Sequence, residues 1–449
     1  MNDDVVNPME GRAVFPLLLS MSFPVIISML IQALYNIVDS FWVARLGTDA
    51  LAAVSLAFPL QNVLMAISVG LGIGLSAHVS MALGRKDRSG ASRMASVGIL
   101  LALIHSVLFI LAGIFLTKPF LSMFTDNDVV LAMADDYASI VLCLSFGEVL
   151  QMSYEKIFQG AGRMKTTMFL MASGCLINMI LDPILIFGLC GFPSLGIRGA
   201  ALATVIGQVA GMLLYVIVYA CSDIGLSISP GYMKVDRKTV SRIYGVAIPS
   251  SLMLSLPSFL TGILNAILIG FGEIYVAILG LYFKLQTFVF MPANGVIQGM
   301  RPIIGYNYGS GRKDRVRETI RYSLLLVAVI SLVGTVLSVF FPSQILSIFD
   351  ADEVLVSAGT TALRIIGPSF ILSSVAVVAS GVYESLGIGR TSLMISLLRQ
   401  MIFMVPLSFV LSRFLGPVGI WLSFPISEAS ALAVATPVLA LLFRKMLKD

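Results

Sequence analysis

"GRKDR" stands at residues 84–88 and again at 311–315, an offset of 311 − 84 = 227. A five-letter string seldom recurs by chance, and other matches lie at nearly the same distance. "GAGR" (160–163) answers "GIGR" (387–390), pairing Gly160, Gly162 and Arg163 with Gly387, Gly389 and Arg390. Pro24 pairs with Pro249, Gly47 with Gly272, and "LSMFTDND" (121–128) with "LSIFDADE" (346–353), all at 225. Self-similarity at one long period is the mark of an internally duplicated chain. The expected domains are an N-terminal bundle over 1–221, a linker loop over 222–240 and a C-terminal bundle over 241–449.

Composition says what the duplicated unit is made of. Of 449 residues, 58% are hydrophobic and 12% charged, with a mean hydropathy of +0.96. Soluble domains carry about a quarter charged residues, so this chain belongs in a lipid bilayer. Apolar runs near 15–43, 51–82, 94–117, 133–160, 166–189, 198–220, 243–270, 275–306, 319–341, 355–385, 391–412 and 418–443 are each long enough to cross it. The runs are continuous rather than alternating, which excludes a membrane barrel. The expected fold is an all-α integral membrane protein of twelve spans in two pseudo-symmetric six-helix bundles. Six is even, so both bundles share one sidedness and the repeat is parallel, as in several secondary transporters. Asp3, Asp4 and Glu10 precede the first run where a secretory signal would be basic, so that run is expected to stay in the mature protein.

Loop charge sets the orientation. Arg85, Lys86, Arg88 and Arg93, then Arg163 and Lys165, then Lys234, Arg237, Lys238 and Arg242 fall on one side. So do Arg312, Lys313, Arg315, Arg317 and Arg321, then Arg390, then Arg444, Lys445 and Lys448. The other side has Arg45, Lys118, Arg198 and Arg413. The rich side is expected to be cytoplasmic, with both termini. The net charge of +5 is thereby assigned to topology, and no nucleic-acid partner is expected. Cys143, Cys175, Cys190 and Cys221 are scattered, with no metal-ligand or disulfide spacing. "GLGIG" (70–74) lies inside a span with no strand before it, so close helix packing is expected there rather than a phosphate loop.

The halves differ where it matters. "NMILDP" (178–183) aligns with "MIFMVP" (401–406): proline meets proline, but Asn178 meets Met401 and Asp182 meets Val405. On the first span, Gln32, Asn36 and Asp39 share a helix face, and Asp39 falls on Leu264. Two intramembrane acids therefore sit in the first half alone, with no base in either stretch. A charge at helix centre costs about 2.5–3.5 kcal/mol on insertion scales. Relief comes from protonation, a bound cation, or amide and hydroxyl donors; a structural hydrogen bond between helices is the plainer alternative. Pro183 also removes the helix bond to the carbonyl of Met179.

These stretches together resemble the multidrug and toxic compound extrusion (MATE) transporters. The likeness is carried by "LYNIVDSFWVARLGTDALAAVSLAFPLQ" (34–61), "LGRKDR", "YGSGRKDRVRETI", "QGAGR" and "NMILDPILIFG", in that order over essentially the whole chain. It implies a secondary exporter of amphipathic, mostly cationic compounds, driven by H⁺ or Na⁺. It implies coupling at Asp39 and Asp182, with Asn178 on the fifth helix, Tyr137 on the fourth, and Glu155 where some relatives have Asn. Asn36 completes the expected coupling set, and Na⁺ is an option at Asp39, Asn178 and Asp182. A hydroxyl that some relatives carry on helix six falls on Ala200, with Thr204 one turn on. The second-half acids of other branches are not expected here, since Leu264 replaces one and Glu273 and Glu384 lie near helix ends.

For substrate we expect Gln32, Tyr35, Gln61, Lys284, Gln286 and Glu428, the last either facing a cavity or pairing with Arg399. No cofactor is expected, and the expected partners are small organic cations and lipid, with the chain a monomer in the cell membrane. The nearest rival is a lipid-linked oligosaccharide flippase of the same broad superfamily, often with fourteen spans. A membrane enzyme is the remoter rival, and no nucleophile elbow, Walker lysine or zinc spacing supports it. A reporter fused after Lys448 is expected to read as cytoplasmic; an external signal would reverse the topology.

Overall fold

The computed structural model describes residues 8–348 and 353–448. Asp3, Asp4 and most of the second acidic turn (350–352) lie outside these residues. The described chain is helical throughout. We number its long helices α1 Val14–Ala44, α2 Thr48–Gly84, α3 Arg88–Phe115, and α4, made of Asp128–Cys143 and Phe146–Gly160. Next come α5 Met164–Phe187, α6 Ile197–Cys221, α7 Arg237–Leu268, α8 Glu273–Gly309 and α9 Lys313–Phe340. Then α10 is made of Glu353–Ile366 and Ser369–Ser385, α11 runs Gly389–Leu415 through a π-helical turn at Leu398–Phe403, and α12 is Pro417–Lys448. Ten of these are single helices long and apolar enough to cross a membrane, and the bent pairs α4 and α10 bring the number to twelve.

Both pairs bend by 47°, where the sequence suggested unbroken spans. In α10 the break falls at Gly367–Pro368, and proline has no N–H to continue the ladder. In α4 the chain tightens through i→i+3 bonds, Ser145 N–H to the Leu142 carbonyl at 3.2 Å and Gly147 N–H to that of Leu144 at 3.4 Å.

The repeat is visible in the helix ends, in a register the letters disguise. Four helices end on one left-handed residue: Lys86 (φ 58°), Gly162 (82°), Gly311 (77°) and Gly387 (77°). The following N–H closes each turn on the carbonyl five back, Asp87 to Ala82, Arg163 to Phe158, Arg312 to Asn307 and Ile388 to Tyr383, at 2.8–3.0 Å. This is the C-terminal capping arrangement that favours glycine. Both structural offsets are 225, from 311 − 86 and 387 − 162. The identical pentapeptides, 227 apart, are therefore out of phase by two residues, as are "GAGR" and "GIGR". In the first loop Lys86 occupies the turn that Gly311 occupies in the second.

By their packing the helices form two compact units, Ile27–Ser251 and the stretch through Ile26 together with Leu252 onward. The boundaries of these units fall inside α1 and α7. Glycines explain this. A Cβ on Gly70 or Gly74 would strike the Ala247 or Ile243 carbonyl at 2.8 or 2.6 Å, so the start of α7 lies directly on α2. At the equivalent positions, Gly295 and Gly299 admit Ile26 and Ser22, so the start of α1 lies on α8. The "GLGIG" stretch is thus a packing surface. The loop after α6 is also anchored in the first unit. Ser227 and Ser229 donate backbone N–H bonds to the hydroxyls of Ser92 and Ser96 on α3 at 2.8 and 3.1 Å. Asp236 caps α7 by accepting from Thr239, hydrogen bonds that hold its carboxyl below the usual range.

Each unit has its own apolar core. Leu71, Leu75, Tyr137, Phe158 and Tyr215 fill the first; Leu264, Tyr282, Phe370 and Trp421 fill the second. Large apolar side chains also cover the outside, including Phe23, Phe259 and Phe414 at 65%, 66% and 80% exposed. That pattern suits a surface bathed in hydrocarbon. α5 and α6 touch through small residues: a Cβ on Gly207 would meet Asn178 Cβ at 2.9 Å and the Gly174 carbonyl at 3.0 Å. Gly207→Leu is therefore expected to destabilise the protein by about 1–3 kcal/mol through overpacking. Thermal unfolding in detergent should show a lower Tm; an unchanged Tm would mean α5 and α6 tolerate separation.

Candidate functional site

The first unit buries a polar cluster made by α1, α2, α4, α5 and α6. Asp182 is fully buried, Asn178 and Tyr137 are 2% exposed and Thr204 4%. Asn178 donates to the Thr204 hydroxyl at 3.4 Å, and Gln61 donates to the Tyr137 hydroxyl at 3.3 Å. Tyr35 and Tyr137 both reach Thr204, and both feel the charges of Asp39 and Asp182. Asp39 and Asp182 are close enough to act on one another.

Local sequence explains the convergence. Asn178 and Asp182 are one turn apart on α5, and Tyr35 and Asp39 one turn apart on α1, so each helix offers two groups on one edge. Gly207 on α6 carries no side chain where Asn178 approaches. Pro183 lies within α5, which continues to Phe187. Among the described residues, Oδ1 and Oδ2 of Asp182, Oδ1 of Asp39 and Oδ1 of Asn178 are buried without a hydrogen-bond partner. No base forms an ion pair with either acid among those residues. Buried polar atoms normally find partners. Several oxygens left free together make a place for protons, a hard cation or a cationic ligand.

The structure gathers Asp39, Asp182, Asn178, Tyr137, Tyr35 and Gln61, and adds Thr204. It leaves out others. Asn36 and Gln32 are exposed, because α1 turns its Tyr35–Asp39 edge inward. Glu155 does not join the cluster. It lies further along α4 in a closed triad: Lys156 Nζ is 3.3 Å from Glu155 Oε1 and 3.0 Å from Gln159 Oε1, and Gln159 Nε2 donates to Glu155 at 2.7 Å. Its charge is already matched, so it offers no free acid. Gly72 makes room for the Lys156 stem.

The remaining candidates belong to the second unit. Gln286, 225 residues after Gln61, donates to the hydroxyl of Tyr282 one turn back on its own helix at 2.9 Å, whereas Gln61 reaches Tyr137 on another helix. Glu428 Oε1 lies 3.5 Å from Arg399 Nε, so it is paired, and both act on Tyr282. Lys284 is exposed on α8. At the position of Asp39 the second unit has Leu264, fully buried in the core. Glu384 is ion-paired with Arg301. Sequence reasoning missed Glu148, a further acid on α4 that accepts from Gln208 Nε2 at 3.1 Å. An apolar sequence neighbourhood and an amide on α6 were its only signals.

Duplicated six-helix halves, with unmatched acids in one of them, are the build of a polytopic membrane transporter. The MatE family model matches residues 24–184 and 249–410, stretches beginning 225 residues apart. The chain belongs to this family. It is 28% identical over 450 residues to the multidrug export protein MepA of Staphylococcus saprophyticus, covering 100% of this chain and 98% of that one. MepA of Staphylococcus aureus strain MRSA252 is 26% identical over 448 residues, covering 100% of this chain and 98% of its own. A multidrug resistance MATE family transporter of the MOP superfamily, solved in an outward-facing conformation, superposes with a TM-score of 0.92 at 25% identity over 100% of both chains. A MATE structure in a bent conformation superposes with a TM-score of 0.90 at 26% identity, over 99% of this chain and 97% of that one.

Lys156→Met, which strands Glu155, is expected to cost about 3–5 kcal/mol. Lys156→Met combined with Glu155→Gln should recover most of the lost Tm. Failure of the double variant to recover would show that the triad is not held by charge.

Proposed function

We propose that the protein is a secondary active multidrug exporter that antiports amphipathic, mostly cationic compounds against H⁺ or Na⁺ by alternating access. The observation that carries this reading is the unmatched acid pair, fully buried Asp182 and half-buried Asp39 with its Oδ1 inside, beside Asn178, Tyr137 and Thr204. The naming of relatives matched over their whole length as multidrug export proteins supports drug export.

The acids are the coupling groups. Ion uptake from outside neutralises them, as a proton on a carboxyl or as Na⁺ among the oxygens of Asp39, Asn178 and Asp182. Neutralisation weakens the hold on a cationic compound and alters hydrogen bonding to Tyr35, Tyr137 and Thr204. Release of the ion inside restores the negative charge for the next substrate. Membrane potential adds about 2.3 kcal/mol per net charge moved per 100 mV. Gln32, Gln61 and Tyr35 in the first unit, and Gln286, Glu428 and Lys284 in the second, are the polar groups assigned to substrate. The sequence halves 1–221 and 241–449 serve as the repeats, and the basic loops with both termini face the cytoplasm.

Asp39→Asn and Asp182→Asn are expected to keep expression and to abolish dye efflux from vesicles. Separately imposed ΔpH and ΔNa⁺ on the unaltered protein name the ion. Full drug protection by both variants would end this reading.

A further inference from the structure

Asp182, Asn178 and Thr204 form the buried end of a longer polar column that continues through half-buried Glu148 and Gln208. On α6, Thr204 and Gln208 are one turn apart, about 6 Å along the axis. Thr204 takes the Asn178 amide, and Gln208 gives its amide to Glu148. Glu148 and Gln208 therefore lie one level nearer the loop of Arg163 and Lys165 than Asn178 does. Glu155, Gln159 and Lys156 follow two turns further along α4. At the level between, Gly174 and Gly211 face the Gln151 side chain, so that no larger group separates α4, α5 and α6 there.

Glu148 differs from Glu155, the ion-paired acid further along α4. It forms no ion pair among the described residues. Its single charge-free partner is Gln208, whose own Oε1 is buried without a partner, as is the hydroxyl of Ser145 at the bend of α4. One carboxylate and one amide oxygen are too few for a hard cation, which asks for about six oxygens. They suit a proton. The titratable groups on the neighbouring helices are engaged elsewhere or lie at other levels. His78 of α2 bonds the Gly74 carbonyl, His105 of α3 bonds Tyr244, and Tyr215 of α6 bonds the Thr167 carbonyl. Cys175 of α5 lies beside the Glu155 level, and Asp182 beside Asp39. Lys156 is bound into its triad.

We propose that Glu148 is the inner station of the coupling proton, receiving it from the Asp39–Asp182 cluster and passing it toward the Arg163–Lys165 loop. This rests on the antiport reading above and fixes its ion as H⁺. The transfer is a proton exchange between carboxyls. A proton leaves the Asp182 carboxyl, crosses by the Thr204 hydroxyl and solvent bonded to Gln208 Oε1, and protonates the Glu148 carboxylate. Asp182 is left charged and Glu148 neutral until the proton departs. Glu148 lies just after the bend in α4 and meets Gln208 of α6. Chains of buried acids serve proton movement through membrane proteins in this way.

The test uses the full-length protein in proteoliposomes, with ethidium as the transported probe. Glu148→Gln is expected to slow ΔpH-driven ethidium transport at least tenfold while ethidium binding stays within twofold. Glu148→Asp should restore part of the rate with a displaced pH profile, which a merely structural role would not produce. If Glu148→Gln cannot be purified folded, Gln208→Leu is read instead, and its pH profile should move by about one unit. A full rate and unchanged pH profile in the variant, with Asp39→Asn and Asp182→Asn inactive, overturns the proposal alone. Transport driven by ΔNa⁺ only also overturns it. Active Asp39→Asn and Asp182→Asn variants would remove the antiport reading and this proposal with it.

Discussion

A carboxylate inside a lipid-embedded bundle needs a base, a proton or a bound cation, and the structure sorts its buried and half-buried acids by this need. Glu155 has Lys156, Glu384 has Arg301 and Glu428 has Arg399. Asp39, Asp182 and Glu148 have amides and hydroxyls at most. Matched acids are anchors, since breaking such a pair leaves an uncompensated charge. Unmatched acids change state with their surroundings. The surrounding features serve that distinction: Gly207 lets Asn178 close on α6, and Gly72 admits Lys156 to its triad.

Duplication supplies the frame, and loss of symmetry supplies the chemistry. The two units share capping turns, bent fourth and tenth helices, and a glutamine at equivalent positions, Gln61 and Gln286. They part at the acids, where the second unit fills the space of Asp39 with Leu264. The exchange of helix starts, α1 onto α8 and α7 onto α2, follows from glycines placed at equivalent positions. Asp39 therefore rides on a helix whose first turns pack with one unit and whose remainder packs with the other.

Hydropathy made the spans and the parallel repeat legible, because length and charge bias are one-dimensional signals. The Asp39–Asp182–Asn178 core was legible for a similar reason: acids in apolar runs stand out. Glu155 stood out equally, and its burial beside Lys156 was hidden because adjacent residues on a helix seldom face each other. Asn36 is exposed because a stripe at 32, 36 and 39 and an edge at 35 and 39 differ by one step around the helix. Glu148 went unnoticed because its partner, Gln208, comes sixty residues later. The boundaries inside α1 and α7 depend on which helices touch, which no local pattern encodes.

The two copies of "GRKDR" carry a lesson about what descends unchanged in a duplicated protein. The letters persist, but the backbone reads them in different phases. Grafting one loop onto the other by matching letters would wind the next helix on by two residues, about 200° of rotation. Its lipid-facing edge would then point into the bundle. Inheritance here is of the corner, not of the word written across it.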